Sequence, residues 1–158
     1  MKNSKTEKGN ILLVGIGNSG RRDDGLGWKF ADLAGKFQQT EIDCEYRYQL
    51  QVEDVLMICR YEKVIFADAS HSEIKEGFEW KPCQAAPHYF FSSHMQSPET
   101  ILYLAKELFN KTPEAYKLAI AGHNWGLGTM LSKPAIENLQ KAFNFFENYF
   151  VQAVRKTA

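Results

Sequence analysis

The sequence has no surplus of either charge: nineteen Lys and Arg stand against nineteen Asp and Glu. Nucleic-acid binders usually carry a basic excess, so that class is disfavoured. No apolar run approaches the ~20 residues that a membrane span needs. The polar opening MKNSKTEKGN has no apolar segment before Ile11, so no signal peptide is expected there. Cysteine is scarce. Cys44, Cys59 and Cys83 are an odd number at unpatterned spacing, which reads as free thiols in a reducing cytoplasm rather than a disulfide or zinc framework. Linkers, repeats and low-complexity tracts are also lacking. Collagen, coiled coil, membrane protein and disulfide mini-protein are thereby excluded.

What is present suits one globular domain. The chain has 158 residues, 44% hydrophobic and 13% aromatic, enough for a core at the usual domain size. Residues 1–10 read as a polar lead-in and residues 11–155 as a single cytoplasmic domain. The run ILLVGI at 11–16 has no polar alternation, as in a central strand buried on both faces. A glycine-broken loop follows. A helical pattern then runs from about Asp24 through Leu26, Phe30, Leu33 and Phe37. Further strands are expected at about 42–50, at 63–68 (KVIFAD), at 78–82 on an edge, and at 117–121 (KLAIA). A short helix is expected over 52–59. Ser97-Pro98-Glu99 opens another helix, since Pro suits the first turn and an acid meets the positive end of the dipole. Its expected apolar face is Ile101, Leu102, Ala105, Leu108 and Phe109. A last helix starts near Ser132, the expected N-cap, with a stripe of Ile136, Leu139, Phe143, Phe146, Phe150 and Val154. Strands alternating with helices predict an α/β fold: one three-layer domain with a mostly parallel sheet flanked by helices.

In open α/β sheets ligands bind beyond the carboxyl ends of the strands. Four segments follow apolar runs or precede the Pro98 helix: GIGNSGRRDDGLG at 15–27, Asp68 to His71, Ser92 to Gln96, and Gly122 to Trp125. Gly15, Gly17 and Gly20 spell the G-x-G-x-x-G of dinucleotide sites. Four consecutive charges, Arg21 to Asp24, follow the third glycine, and a carboxylate pair is misplaced beside a phosphate. The region after the second strand, Tyr46-Arg47-Tyr48-Gln49, offers no ribose-binding acid. A metal site is the other reading. Asp24, Asp68 and His94 could meet at one divalent ion, nickel, zinc or similar, and leave positions open for substrate. The plainer alternatives are a helix-start acid, a strand-end acid and a loop histidine. For Asn18 the alternative to a site role is a turn residue. Cys83 lacks the surroundings of a nucleophile. His71 could support the site from behind, whereas His88 and His123 read as loop residues. Trp28, Trp80 and Trp125, with Phe90 and Phe91, are read as core or edge packing rather than a peptide-binding rim.

The motifs in order resemble those of the [NiFe] hydrogenase maturation endopeptidases. GIGN, a four-residue spacer and DDGLG are similar to the opening signature of that family. VIFADAS at 64–70 resembles its middle strand, and SSHMQSPETILYLAKELF at 92–109 its histidine loop and helix. GHNWGLGTMLSKPAIENL at 122–139 resembles its closing segment, and YQLQVEDV at 48–55 a Gln-Leu-x-x-Glu element of one branch. The resemblance spans about residues 11–150.

The resemblance implies a phosphorylase/hydrolase-like three-layer fold with a twisted sheet. It implies an endopeptidase that removes a C-terminal extension from a nickel-loaded hydrogenase large-subunit precursor. By position, Asp24, Asp68 and His94 fall on the family's metal-binding residues and would act through the metal. That metal would be Ni2+ brought by the precursor, or another divalent ion in its place. Asn18 and Gln49 become candidates to bind substrate, and neither nucleic acid nor membrane is an expected partner. Two departures stand out: Asp24 replaces the Glu of the best-known branch, and Tyr46 to Leu50 replaces its Asp-Gly-Gly-Thr element. A non-catalytic nickel- or precursor-binding chaperone of the same fold is the alternative, and a dinucleotide-dependent oxidoreductase the more distant one.

Overall fold

The computed structural model describes residues 10–36, 42–87 and 96–157. Five strands form one sheet: β1 (Ile11–Ile16), β2 (Ile42–Arg47), β3 (Lys63–Ser70), β4 (Phe78–Pro82) and β5 (Glu114–Ala121). Their order is β2-β1-β3-β5-β4. All neighbours are parallel except β4, which pairs antiparallel with β5 at the edge. Four α-helices complete the fold: α1 (Leu26–Gly35), α2 (Asp54–Ile58), α3 (Pro98–Phe109) and α4 (Lys133–Thr157).

The uninterrupted apolar runs of β1 and β3 reflect burial on both faces. Leu13, Ile65 and Ala67 point to one side and join Phe30 of α1 and Phe146 of α4. Leu12, Val14, Val64 and Phe66 point to the other and join Val55 of α2 and Ile101 of α3. The expected three-layer α/β architecture is therefore present. No described helix is long and apolar enough to cross a membrane, and all three cysteines are free thiols.

The elements depart from the sequence reading at their margins. A 3-10 turn at Arg22–Gly25 precedes α1, so the helix itself starts at Leu26. β2 stops at Arg47, whose carbonyl accepts both the Gly17 N–H and the Trp28 indole N–H. In α3 only Ile101, Leu102 and Ala105 of the expected face are buried, whereas Leu108 and Phe109 are exposed. They lie in the last turn of the helix. Ile136 of α4 is exposed as well, and Ala135 and Ala142 take the buried stripe with Leu139, Phe146 and Phe150. The helix turns alanines to the sheet because they permit close approach. Phe37, His88, Phe90 and Phe91 lie outside the described residues, as does the side chain of Val154.

The expected Ser132 cap forms, and Ser97 caps α3 in the same way. Ser97 Oγ accepts the Thr100 N–H at 3.1 Å, and Ser132 Oγ accepts the Ala135 N–H at 3.3 Å. Each satisfies a helix-start donor that would otherwise lack a partner.

Candidate active site

The parallel strands β2, β1, β3 and β5 end on the same side of the sheet, and a cleft there is built by the segments after β1 and β2, the carboxyl half of β3, the residues that lead into α3 and the middle of β5. The cleft encloses about 820 Å3, and its lining includes Asp24, Gln49, Asp68, His71, Gln96 and Lys117.

The first loop is held in shape by its own backbone. Gly17 sits at φ +138°, and a Cβ there would fall 2.0 Å from the Asp24 carbonyl oxygen. That carbonyl accepts the Asn18 N–H at 3.1 Å, and the Asp24 N–H donates to Arg21 O at 3.1 Å. The loop thus curls back on itself and turns Asp24 into the cleft.

The neighbouring acid points the other way. Asp23 is fully buried. Its Oδ2 accepts the N–H groups of His123 (2.7 Å) and Asn124 (2.8 Å) and the Ser132 hydroxyl (2.6 Å), while Oδ1 accepts the Ser132 N–H (2.8 Å). Burial pushes its carboxyl up, but these hydrogen bonds outweigh that and hold it below the usual range. Asp23 ties the first loop to the closing segment before α4. Nothing in the spacing of two adjacent acids reveals which one serves the scaffold, and this role was not legible in the sequence.

Asp68 extends the Val64–Phe66 face of β3 into the cleft. Its side chain is open to water along the cleft, while the cleft walls crowd part of its hydration shell. The lost hydration pushes its carboxyl up to about 7, opposed by the Ala69 N–H at 2.8 Å, reinforced by the Asp24 charge and opposed again by Lys117. Lys117 comes from the middle of β5 and pairs with Glu99 of α3 at 2.8 Å. A lone cation inside the apolar run KLAIA is the sequence signal that could have singled it out.

The sequence candidates thus fare differently. Asp24, Asp68 and Gln49 line one cleft. Asn18 is not among the lining residues, and its Oδ1 accepts the Gly20 N–H at 2.9 Å in a local turn. His94 lies outside the described residues, two positions before Gln96. His71 reaches the cleft and stacks on Trp125, ring centroids 3.6 Å apart. Of the other tryptophans, Trp80 packs between Tyr116 and the aromatics of α4. Trp28 lies beside Tyr46 and Tyr48 at the surface.

Two carboxylates lining one cleft suit a hard or borderline divalent cation, which would relieve their repulsion. Among the described residues no group of three or more His, Cys, Asp and Glu is placed to hold a metal ion. The two acids are therefore a partial donor set. The glycine loop is not built for a pyrophosphate: Gly20 is exposed, and α1 begins six residues beyond it.

No protein-family model matches the sequence, and no curated protein matches it significantly. Solved structures do resemble the fold. The hydrogenase maturating endopeptidase HybD from E. coli aligns with a TM-score of 0.71 at 14% identity, over 94% of each chain. The [NiFe] hydrogenase maturation protease HycI from Thermococcus kodakarensis KOD1 aligns at 0.65 and 21%, covering 90% of this chain and 93% of its own. A hydrogenase 2 maturation peptidase from Thaumarchaeota archaeon SCGC_AB-539-E09 aligns at 0.64 and 18%, covering 89% and 97%. The chain therefore has the fold of the hydrogenase maturation proteases.

Proposed function

We propose that the chain belongs to the [NiFe] hydrogenase maturation endopeptidases and trims a C-terminal extension from a nickel-loaded hydrogenase large-subunit precursor. The observation that carries this reading is the meeting of Asp24 and Asp68, 44 positions apart in sequence, in one cleft at the carboxyl ends of β1 and β3. The order of the motifs and the shared fold support it.

In this reading Asp24, Asp68 and His94 grip the nickel ion that the precursor carries, which makes the ion part of the substrate. A divalent ion there can polarise a scissile carbonyl or activate water. Gln49, on the cleft wall, presents an amide that can bond a peptide backbone. Lys117 places a positive charge beside Asp68 and favours its ionised, ligating form.

The test is incubation of a nickel-loaded precursor with the chain and mass spectrometry of the products. The intact chain should shorten the precursor. Asp24→Ala, Asp68→Ala and His94→Ala should each slow trimming at least about 100-fold, since loss of an outer-shell partner alone costs up to that much. Wild-type trimming by all three folded variants would sink the assignment. A precursor that is bound but never shortened would favour a chaperone of the same fold.

A further inference from the structure

Beside the cleft runs a second groove of about 370 Å3, whose lining includes Trp28, Tyr46, Tyr48, Gln51 and Glu53. Tyr48 and Gln49 line both cavities, so the groove continues the cleft. Three aromatic rings form its surface. Trp28 and Tyr48 have centroids 5.3 Å apart, and Trp28 and Tyr46 5.6 Å.

Hydrogen bonds pin the polar ends of two of these rings. The Trp28 indole N–H donates to Arg47 O at 3.0 Å, and the Tyr46 hydroxyl donates to Asp32 at 2.6 Å. The same Arg47 carbonyl also accepts the Gly17 N–H at 2.9 Å, so the rings are anchored to the loop that presents Asp24. Tyr48 is 69% exposed although it rests on a fixed ring. Rigid aromatics left open to water are what binding surfaces use, because little side-chain freedom is lost when they are covered.

The groove carries a net negative charge, with Glu53 and Asp54 against Arg47. Its cation, Arg47, is already bonded to Asp54 at 3.0 Å and Glu45 at 3.2 Å. Glu53 makes no ion pair among the described residues. Gln49 and Gln51 add amides that can both donate and accept, as an extended backbone requires. Aromatic faces beside an uncompensated carboxylate favour a cationic side chain.

We infer that this groove docks an extended, basic stretch of the substrate polypeptide, away from the bond that is cut. The inference rests on the peptidase reading for its choice of ligand, but its test reads binding alone. The probe is an acetylated Gly/Ser heptapeptide with one central Arg, compared with the same peptide carrying Glu. Millimolar peptide is titrated into the full-length chain while the Trp28 indole N–H resonance is followed by NMR. The Arg peptide should move that resonance. The Glu peptide, and the Arg peptide with Tyr48→Ala or Glu53→Gln, should bind about fivefold more weakly. An unmoved Trp28 resonance, or equal affinity for both peptides, would overturn the inference. A chain that binds the Arg peptide but never trims the precursor keeps the docking site and loses the peptidase reading. A chain that trims the precursor and ignores the peptide does the reverse.

Discussion

Asp23 and Asp24 are chemically identical neighbours with opposite duties. The 3-10 turn that carries them sends one side chain into the interior and the other into the cleft. Replacing Asp23 by Ala would strand the N–H groups of His123, Asn124 and Ser132 without acceptors. Such losses cost roughly 1–3 kcal/mol each when uncompensated, and partial rewetting of the loop should hold the total to about 2–4 kcal/mol. Urea denaturation at pH 7 would measure it; an unchanged midpoint would refute the structural role. The same carboxyl sets an acid limit. It is held low in the folded chain, so its stabilisation is full above the ordinary Asp value near 4 and fades as pH falls through the folded value. Asp68 has the opposite sign. Its folded carboxyl lies near 7, so the metal-free folded state holds a proton that the unfolded chain has released between about pH 4 and 7. Wild-type stability should therefore fall across that window relative to Asp68→Asn. Parallel denaturation at pH 5 and pH 8 should show the variant gaining on the wild type at the higher pH. A gap that stays constant would mean that the cleft does not raise the Asp68 carboxyl.

At the scale of elements, the approach of α1 to the sheet decides whether Asp24 can reach the cleft. The helix crosses β1 and β3 at contact distance because Gly27 has no side chain. A Cβ there would meet Ala67 O at 2.4 Å and Ile16 O at 2.6 Å. These are backbone atoms of two central strands and cannot step aside. Gly27→Ala should thus cost about 1–3 kcal/mol, the usual range for overpacking, and should also slow trimming by lifting the loop that carries Asp24. Thermal unfolding and the precursor assay would read the two effects, and an unperturbed Tm would show that the helix can shift freely. Strand and helix types were legible because their periodicities differ, and the short buried runs of β1 and β3 announced burial on both faces. Margins were less legible. At the end of β2 the Arg47 carbonyl accepts both the Gly17 and the Trp28 N–H groups, and the exposure of Leu108, Phe109 and Ile136 depends on which side of each helix meets its neighbours.

For the molecule as a whole, parallel strands run toward one edge of the sheet, and this brings Asp24 from the loop after β1, Asp68 of β3 and Lys117 of β5 to one cleft. Two carboxylates in one cleft, with no third donor grouped with them among the described residues, make a weak cage for a free ion. If the precursor delivers the nickel, Ni2+ at about 0.1 mM should stabilise the isolated chain by less than about 0.5 kcal/mol, as for a dissociation constant no tighter than that concentration. Trimming should also fail on a precursor stripped of nickel. A large nickel-induced rise in Tm, or efficient cutting of the stripped precursor, would reject delivery by the substrate.

The sequence by itself determined the fold class, the strand and helix types, the Ser132 cap and the candidacy of Asp24, Asp68 and Gln49. Each of these depends on local spacing or on residue chemistry. Only the tertiary structure decided that Asp23 is a buried tie, that Asn18 closes a turn, that Lys117 stands beside Asp68, and that three aromatic rings continue the cleft. Those facts depend on which distant chain segments lie within a few ångströms of each other, and hydrogen bonding, burial and charge repulsion act at that range whatever the separation along the chain.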